Sequence, residues 1–252
     1  MVNFNAIMIS ITATMLLALG FMVINAETDK KLVYEDSRSA YMQTKIPELE
    51  YYEKYEDLKS DGRTAVIYPI LTQSAYDWNG FHDYYKGYCN SCTVTKLHTT
   101  YEKTYSASGN GFRVLEFLGY QVLDDTDVDK NPDILKNYDK VILLHNEFVT
   151  KKEFEAITTH QNVVYLYPNA LTSEVSINYS SNTITLVRGP GHPTADITNG
   201  FDWKYDNTQY FNDWDCHSWE FYPVENGYML NCYPETFIPN YGYELLKKLK
   251  SL

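Results

Sequence analysis

The stretch KNYDKVILLHNEFVTKKEFEAI, residues 136–157, sets His145, Asn146 and Glu147 directly after the apolar run Val141-Ile142-Leu143-Leu144. An imidazole and a carboxylate two residues apart can work as a general acid–base pair or as two ligands of one metal ion. On a strand that spacing sends both side chains to one face. In a turn, Asn146 at positive φ would aim both inward. Helix capping does not need them: Thr150 reads as the N-cap of the next helix, and Glu153 three residues on reads as its capping-box partner. Glu147 is left for other work.

A second cluster, TQSAYDWNGFHDYY (72–85), brings Tyr76, Asp77, Trp78, His82, Asp83, Tyr84 and Tyr85 into one segment after a strand. Loops on a rigid scaffold commonly carry binding groups; the plainer role is an aromatic cover over the core. Other routes to catalysis are missing from the sequence. It holds no G-x-S-x-G, no glycine-rich phosphate loop after the first strand, and no cysteine at a strand-to-helix elbow.

What must position these groups is an alternation of strands and helices. RTAVIYPIL reads as a strand, SGNGFRVLEFLGY as a helix capped by its Ser or Asn and stopped at Gly119, and QVLDD as a second strand. A short helix NPDILKNY with Pro132 in its first turn follows, then strand KVILLH, helix TKKEFEAITTH and strand NVVYLYP. Short links between such elements imply a doubly wound, mostly parallel sheet with helices on both faces, an α/β fold. EVSINYSSNTITLVRG and WEFYPVENGYMLNCYPE each alternate about a turn and add β-hairpins toward the C-terminus, which closes on the amphipathic helix YGYELLKKLK. In such sheets ligands bind outside the carboxyl ends of the strands, where His145, Glu147 and the 72–85 segment lie.

Residues 6–26 carry no charge and end in a small-residue Ile-Asn-Ala site before Glu27. Residues 1–26 therefore read as a signal peptide or N-terminal membrane anchor, 27–61 as a connecting segment with one helix in IPELEYYEKYEDLKSDG, and 62–252 as the α/β domain. Either reading of the first segment secretes the protein or anchors it on the outer face of the cytoplasmic membrane, with membrane contact only through that segment. In an oxidising compartment the four cysteines read as disulfides Cys89–Cys92 and Cys216–Cys232. Asn178-Tyr179-Ser180 is a glycosylation sequon in a hairpin turn. A formal net charge of −12, with only Lys247, Lys248 and Lys250 clustered, argues against nucleic acid as a partner. The 24 tyrosines, against 11 Phe and 4 Trp, suit wet binding faces.

Over roughly 64–170, the segments LTQSAYDWNG and SGNGFRVLEFLGYQVLDDTDVDKNPDILKNYDKVILLHNEFVT resemble the C-terminal domain shared by the large subunit of N,N-dimethylformamidase and its relatives. That family has a tyrosine-bearing loop with a glycine, a helix ending in LGY, a D-D strand end, L-x-x-Y-D and H-x-E in this order. Its domain is similar in fold to class I glutamine amidotransferases. The resemblance implies one iron held by two tyrosines and a glutamate: Tyr76, Glu147, and Tyr101 or Tyr105 as the second tyrosine. It implies catalytic roles for His145 and Glu147 and hydrolysis of a small-molecule amide or related C–N bond. The competing expectation is a non-catalytic module on the same fold that binds a cell-envelope component.

Overall fold

The computed structural model describes residues 55–252. The expected signal or anchor segment and most of the expected helix in the connecting segment lie outside the described residues. Among the described residues no helix is long and apolar enough to cross a membrane.

The chain is mixed α/β. Its strands are β1 Thr64–Tyr68, β2 Val94–Lys96, β3 Gln121–Asp124, β4 Lys140–Leu143, β5 Phe148–Val149, β6 Val163–Tyr165, β7 Ser173–Asn178, β8 Thr183–Arg188, β9 Phe221–Val224 and β10 Gly227–Leu230. Its helices are α1 Ile70–Ala75, α2 Phe81–Tyr85, α3 Gly109–Phe117, α4 Asp125–Lys130, α5 Lys151–Thr159, α6 Ile238–Tyr241 and α7 Tyr243–Ser251. Six strands form one sheet in the order β3-β1-β4-β6-β10-β9, parallel except for β9 against β10. A second sheet, in the order β2-β8-β7-β5, is built around the β7–β8 hairpin. The sequence had shown that hairpin as an addition and had not shown β2.

Side-chain alternation along the central strands explains the two-sided core. Val66, Tyr68, Ile142, Leu144, Val164 and Leu166 share one buried cluster with residues of α3 and α7. Ala65, Ile67, Val141, Leu143, Val163 and Tyr165 share another with Val128 of α4 and Ile157 of α5. Helices thus cover both faces, and strands buried on both sides read as the near-continuous apolar runs seen in the sequence.

Several elements differ from their sequence readings, and two of them bear directly on the site. The RTAVIYPIL strand stops at Tyr68, because Pro69 has no N–H to give the sheet, and Ile70 and Leu71 open α1 instead. Helix α4 was not anticipated. Asp124 caps it, accepting from Thr126 and Asp127 N–H groups while Asp127 answers to the Asp124 N–H, a full capping box made of short acids.

The chain leaves β1 for β3 on one side, then passes from β3 through α4 to β4 on the other side of β1. The point between β1 and β4 is therefore where the winding reverses, and the crevice beyond it is where such sheets bind ligands.

Candidate functional site

Both sides of that reversal contribute to one cluster. Tyr76, the C-cap residue of α1, follows β1; His145, Asn146 and Glu147 follow β4. The Tyr76 hydroxyl donates to Glu147 Oε2 at 2.8 Å, and His145 Nε2 stands 3.5 Å from the same oxygen. His145 and Asn146 have no exposed surface, and Glu147 is buried.

The turn is pinned from every side. His145 N–H donates to Ser108 Oγ (2.9 Å), Glu147 N–H to Thr72 Oγ1 (3.0 Å), and Glu147 O accepts from the N–H groups of Thr172 and Ser173. Ser108, one of the two residues read as the cap of α3, gives its hydroxyl oxygen to His145 instead and makes no cap bond. The start of α3 is held by the buried carboxylate of Glu235, which accepts from Asn110 N (2.7 Å) and Gly111 N (3.3 Å). Asn146 does not take the positive φ expected of it; Asn169 (φ 64°) and Leu171 (φ 57°) nearby do. The side chain of Asn146 works instead, with Oδ1 accepting from Leu144 N (2.9 Å) and Nδ2 donating to Asp125 Oδ1 (2.6 Å).

These bonds settle the protonation of His145. Nδ1 lies 2.7 Å from the Ser106 carbonyl oxygen, which can only accept, so Nδ1 carries the proton and Nε2 presents a lone pair toward Glu147. Burial pushes the imidazole pKa down to about 4, so the ring is neutral at ordinary pH. Burial pushes Glu147 up to about 7, and the bonds from Tyr76 and Asn169 oppose that rise. Nε2 of His145 is a buried acceptor with no donor. A protonated Glu147 is the group placed to supply one.

Glu147 opens onto a cavity of about 270 Å³ walled by Tyr76, His82, Tyr85, Phe148, Asn169 and Phe211, with Thr172, Thr208, Pro190 and Lys86 completing it. The His82 ring stacks on Tyr76 at 4.8 Å. Gly189 allows the back of the site to close: a Cβ there would stand 2.5 Å from Tyr85 Oη and 2.6 Å from Ser173 Oγ. Thr208 Oγ1 donates to Asn169 Oδ1 (3.0 Å), which leaves the amide nitrogen of Asn169 for Glu147.

Of the expected iron ligands, Tyr76 and Glu147 come together. Tyr101 donates to Asp124 Oδ2 (2.9 Å), and the Tyr105 ring packs against Tyr233 at 5.7 Å. Neither lines the cavity. Two of the three ligands expected for iron, Tyr76 and Glu147, thus stand side by side. Among the described residues no group of three His, Cys, Asp or Glu could hold a metal ion. Both cysteine pairs are joined, Cys89 to Cys92 and Cys216 to Cys232, which suits an oxidising environment.

Sequence reasoning reached Tyr76, His82, Tyr85, His145 and Glu147 but missed Asn169, Thr208 and Phe211. Asn169 was findable, since it follows β6, the next parallel strand of the sheet. Thr208 and Phe211 come from a stretch with little regular structure, where no period betrays which side chain turns inward. The chain matches no protein-family model and no curated protein.

Proposed function

We propose that the cavity is the active site of a hydrolase for small amides or related C–N bonds, with Glu147 as its acid–base group. The observation that carries this reading is a carboxyl of pKa about 7 that lines an open cavity and has the unprotonated, donorless His145 Nε2 buried behind it. A strongly perturbed group with a specific partner in a cleft is a candidate functional residue. The resemblance to the N,N-dimethylformamidase domain supports the same residues.

The chemistry balances with the chain's own groups. Ionised Glu147 takes a proton from water as the oxygen attacks the carbonyl carbon. The tetrahedral adduct collapses as the C–N bond breaks, and Glu147 returns the proton to the departing nitrogen, giving a carboxylic acid and an amine. Between these steps the proton on Oε2 has His145 Nε2 as its acceptor, while Tyr76 and Asn169 hold the carboxyl in place. His145 is a positioning residue in this scheme. The cavity size limits the substrate to a small molecule, and its aromatic walls favour a flat one. The disulfides and the uncharged 6–26 segment support an extracytoplasmic place of work.

The test is amine release from formamide, acetamide and N-alkyl formamides by the full chain and by Glu147→Gln, with and without added ferric or ferrous iron. Turnover by the wild type and none by the variant supports the reading. Saturable binding of amides without turnover under any of these conditions would sink it. That outcome would favour the second reading, a binding module, toward which the engagement of Tyr101 by Asp124 points because it commits one of the two candidate second tyrosines elsewhere.

A further inference from the structure

Two carboxyl groups lie behind the turn that carries His145 and Glu147. Asp125 opens α4, Glu153 sits in the first turn of α5, and neither has any exposed surface. Both oxygens of Asp125 are occupied: Oδ2 accepts from Leu71 N at 2.7 Å and Oδ1 from Asn146 Nδ2 at 2.6 Å. Glu153 faces Asp125. Neither of its oxygens meets an N–H or O–H donor in hydrogen-bond geometry, so the capping box expected at Thr150 is half made. Only the Thr150 hydroxyl acts, accepting from Glu153 N–H at 3.2 Å.

Two ionised carboxylates in contact inside the fold, with no donor between them and neither exposed to solvent, carry a desolvation cost plus mutual repulsion. One proton removes both. Asp125 already accepts on each oxygen, so the proton belongs on Glu153, whose O–H then donates to an ionised Asp125. We propose that Asp125 and Glu153 share one proton and act as a positioning pair for the His145–Asn146–Glu147 turn, through the side-chain amide of Asn146.

The amide makes the link directional. Ionised Asp125 can only accept, and Leu144 N–H can only donate, so Asn146 fits one way round: Nδ2 toward Asp125 and Oδ1 toward Leu144. A flipped amide would set oxygen against carboxylate and N–H against N–H. With Asn146 locked, His145 and Glu147 on either side of it are held in one orientation.

The ionisable groups that act on the pair are mostly acids and phenols. Asp124 bears on Asp125 and Asp129 on Glu153. Tyr68 and Tyr101 feel Asp125, and Tyr179 feels Glu153. Lys152 Nζ stands 4.0 Å from Asp129 Oδ1. Burial raises both members of the pair, with Glu153 held well above the ordinary carboxyl range. The folded chain therefore keeps a proton that the unfolded chain loses above about pH 4 to 5. Stability linked to that proton is complete below this range and declines as pH rises through the pair's own titration.

The inference shares its site with the hydrolase reading, but its test needs no turnover, so the two can fail separately. Thermal unfolding of the full chain is followed from acid to alkaline pH for the wild type, Glu153→Gln and Glu153→Leu, together with the NMR signal of the Asn146 side-chain amide. Gln stays neutral and still offers an N–H to Asp125. Glu153→Gln should therefore lose up to one proton's worth of the pH slope in stability and keep the wild-type Asn146 signal. Glu153→Leu should shift or broaden that signal. A wild-type pH slope retained in Glu153→Gln would overturn the shared proton. An Asn146 signal unchanged in Glu153→Leu would overturn the positioning role; should that variant not fold, movement of the wild-type Asn146 signal at alkaline pH, and none in Glu153→Gln, decides in its favour, and a static signal decides against it.

Discussion

Glu147 and Glu235 are both buried glutamates, and burial lifts both, to about 7 and about 8. Their surroundings differ in how the hydrogen bonds are spent. Glu235 Oε1 takes the Asn110 N–H, and Oε2 takes the Gly111 N–H and the Tyr167 hydroxyl at 2.6 Å. It sits at the N-terminus of α3 and borders no cavity described above. Glu147 faces open space and a donorless nitrogen. A raised carboxyl pKa is thus shared by a helix cap and by a candidate acid–base group. What separates them is unspent hydrogen-bonding capacity beside room for a ligand.

The largest expected effect breaks this comparison on activity. Glu147→Gln keeps the size and the Tyr76 contact but cannot accept a proton, and should lower C–N hydrolysis by about 10²–10⁴-fold, the usual worth of a positioned acid–base group. Glu235→Gln should leave turnover within a few-fold of the wild type. Equal losses in both, measured as amine release at matched folded fractions, would erase the distinction. Next comes stability. Glu235→Ala strands two N–H groups and the Tyr167 hydroxyl, and should cost about 3 kcal/mol in denaturant unfolding. A loss below about 1 kcal/mol would mean that the α3 start is held some other way.

The two acids were not equally legible in the sequence. Glu147 was, because its strand is an unbroken apolar run and the carboxyl end of a parallel strand is a position of known meaning. Glu235 was invisible, since a cap 125 residues distant from the helix it serves leaves no local pattern. The same reason hid the pairing of Asp125 with Glu153. Their short-range signs, a capping box at each helix start, are real at Asp124 and half made at Thr150, while their long-range partner is the site turn itself. Sequence period told which strands are buried and on which faces. It could not tell which polar side chain closes a contact across the fold, so Tyr101 and Tyr105 looked as available as Tyr76 did.

The hydrogen bond from Tyr76 should be visible as a pH shift. It favours the ionised form of Glu147, so Tyr76→Phe should raise that pKa above about 7. The acid limb of the activity profile should move to higher pH by about one unit, and activity near neutrality should fall several-fold. A limb displaced toward acid pH would show that the bond is not made to the carboxylate.

A neighbouring clasp offers a smaller effect of defined sign. His98 Nε2 lies 2.8 Å from Asp77 Oδ2 and Nδ1 lies 2.8 Å from Glu102 Oε1, so two carboxylates hold one imidazolium and its pKa rises to about 9. Its contribution is fully present below the unfolded histidine value of about 6.5 and is lost as pH rises through about 9. His98→Gln should therefore be less stable than the wild type by about 1–2 kcal/mol at pH 6, allowing for solvent around the partners, and nearly equal to it at pH 10. A gap that widened with pH would refute the clasp.

The smallest expected effect concerns Tyr101, and its smallness is informative. If this tyrosine were an iron ligand, Tyr101→Phe would remove the metal and the activity together. In the structure its hydroxyl donates to Asp124 Oδ2, while Oδ1 of the same carboxylate accepts from Thr126 and Asp127 N–H groups at the start of α4. Tyr101 therefore serves a helix cap that stands before Asp125, one step removed from the site. Losing one hydrogen bond to a charged acceptor at a partly exposed position should cost about 1 kcal/mol of stability. Amine release and any visible tyrosinate absorption should stay at wild-type levels, with Tyr76→Phe as the contrasting arm. Loss of colour or turnover in Tyr101→Phe at full folded occupancy would mean that Tyr101 swings from Asp124 to Glu147 when a metal binds, and the division between cap and site would then have to be redrawn around a mobile tyrosine.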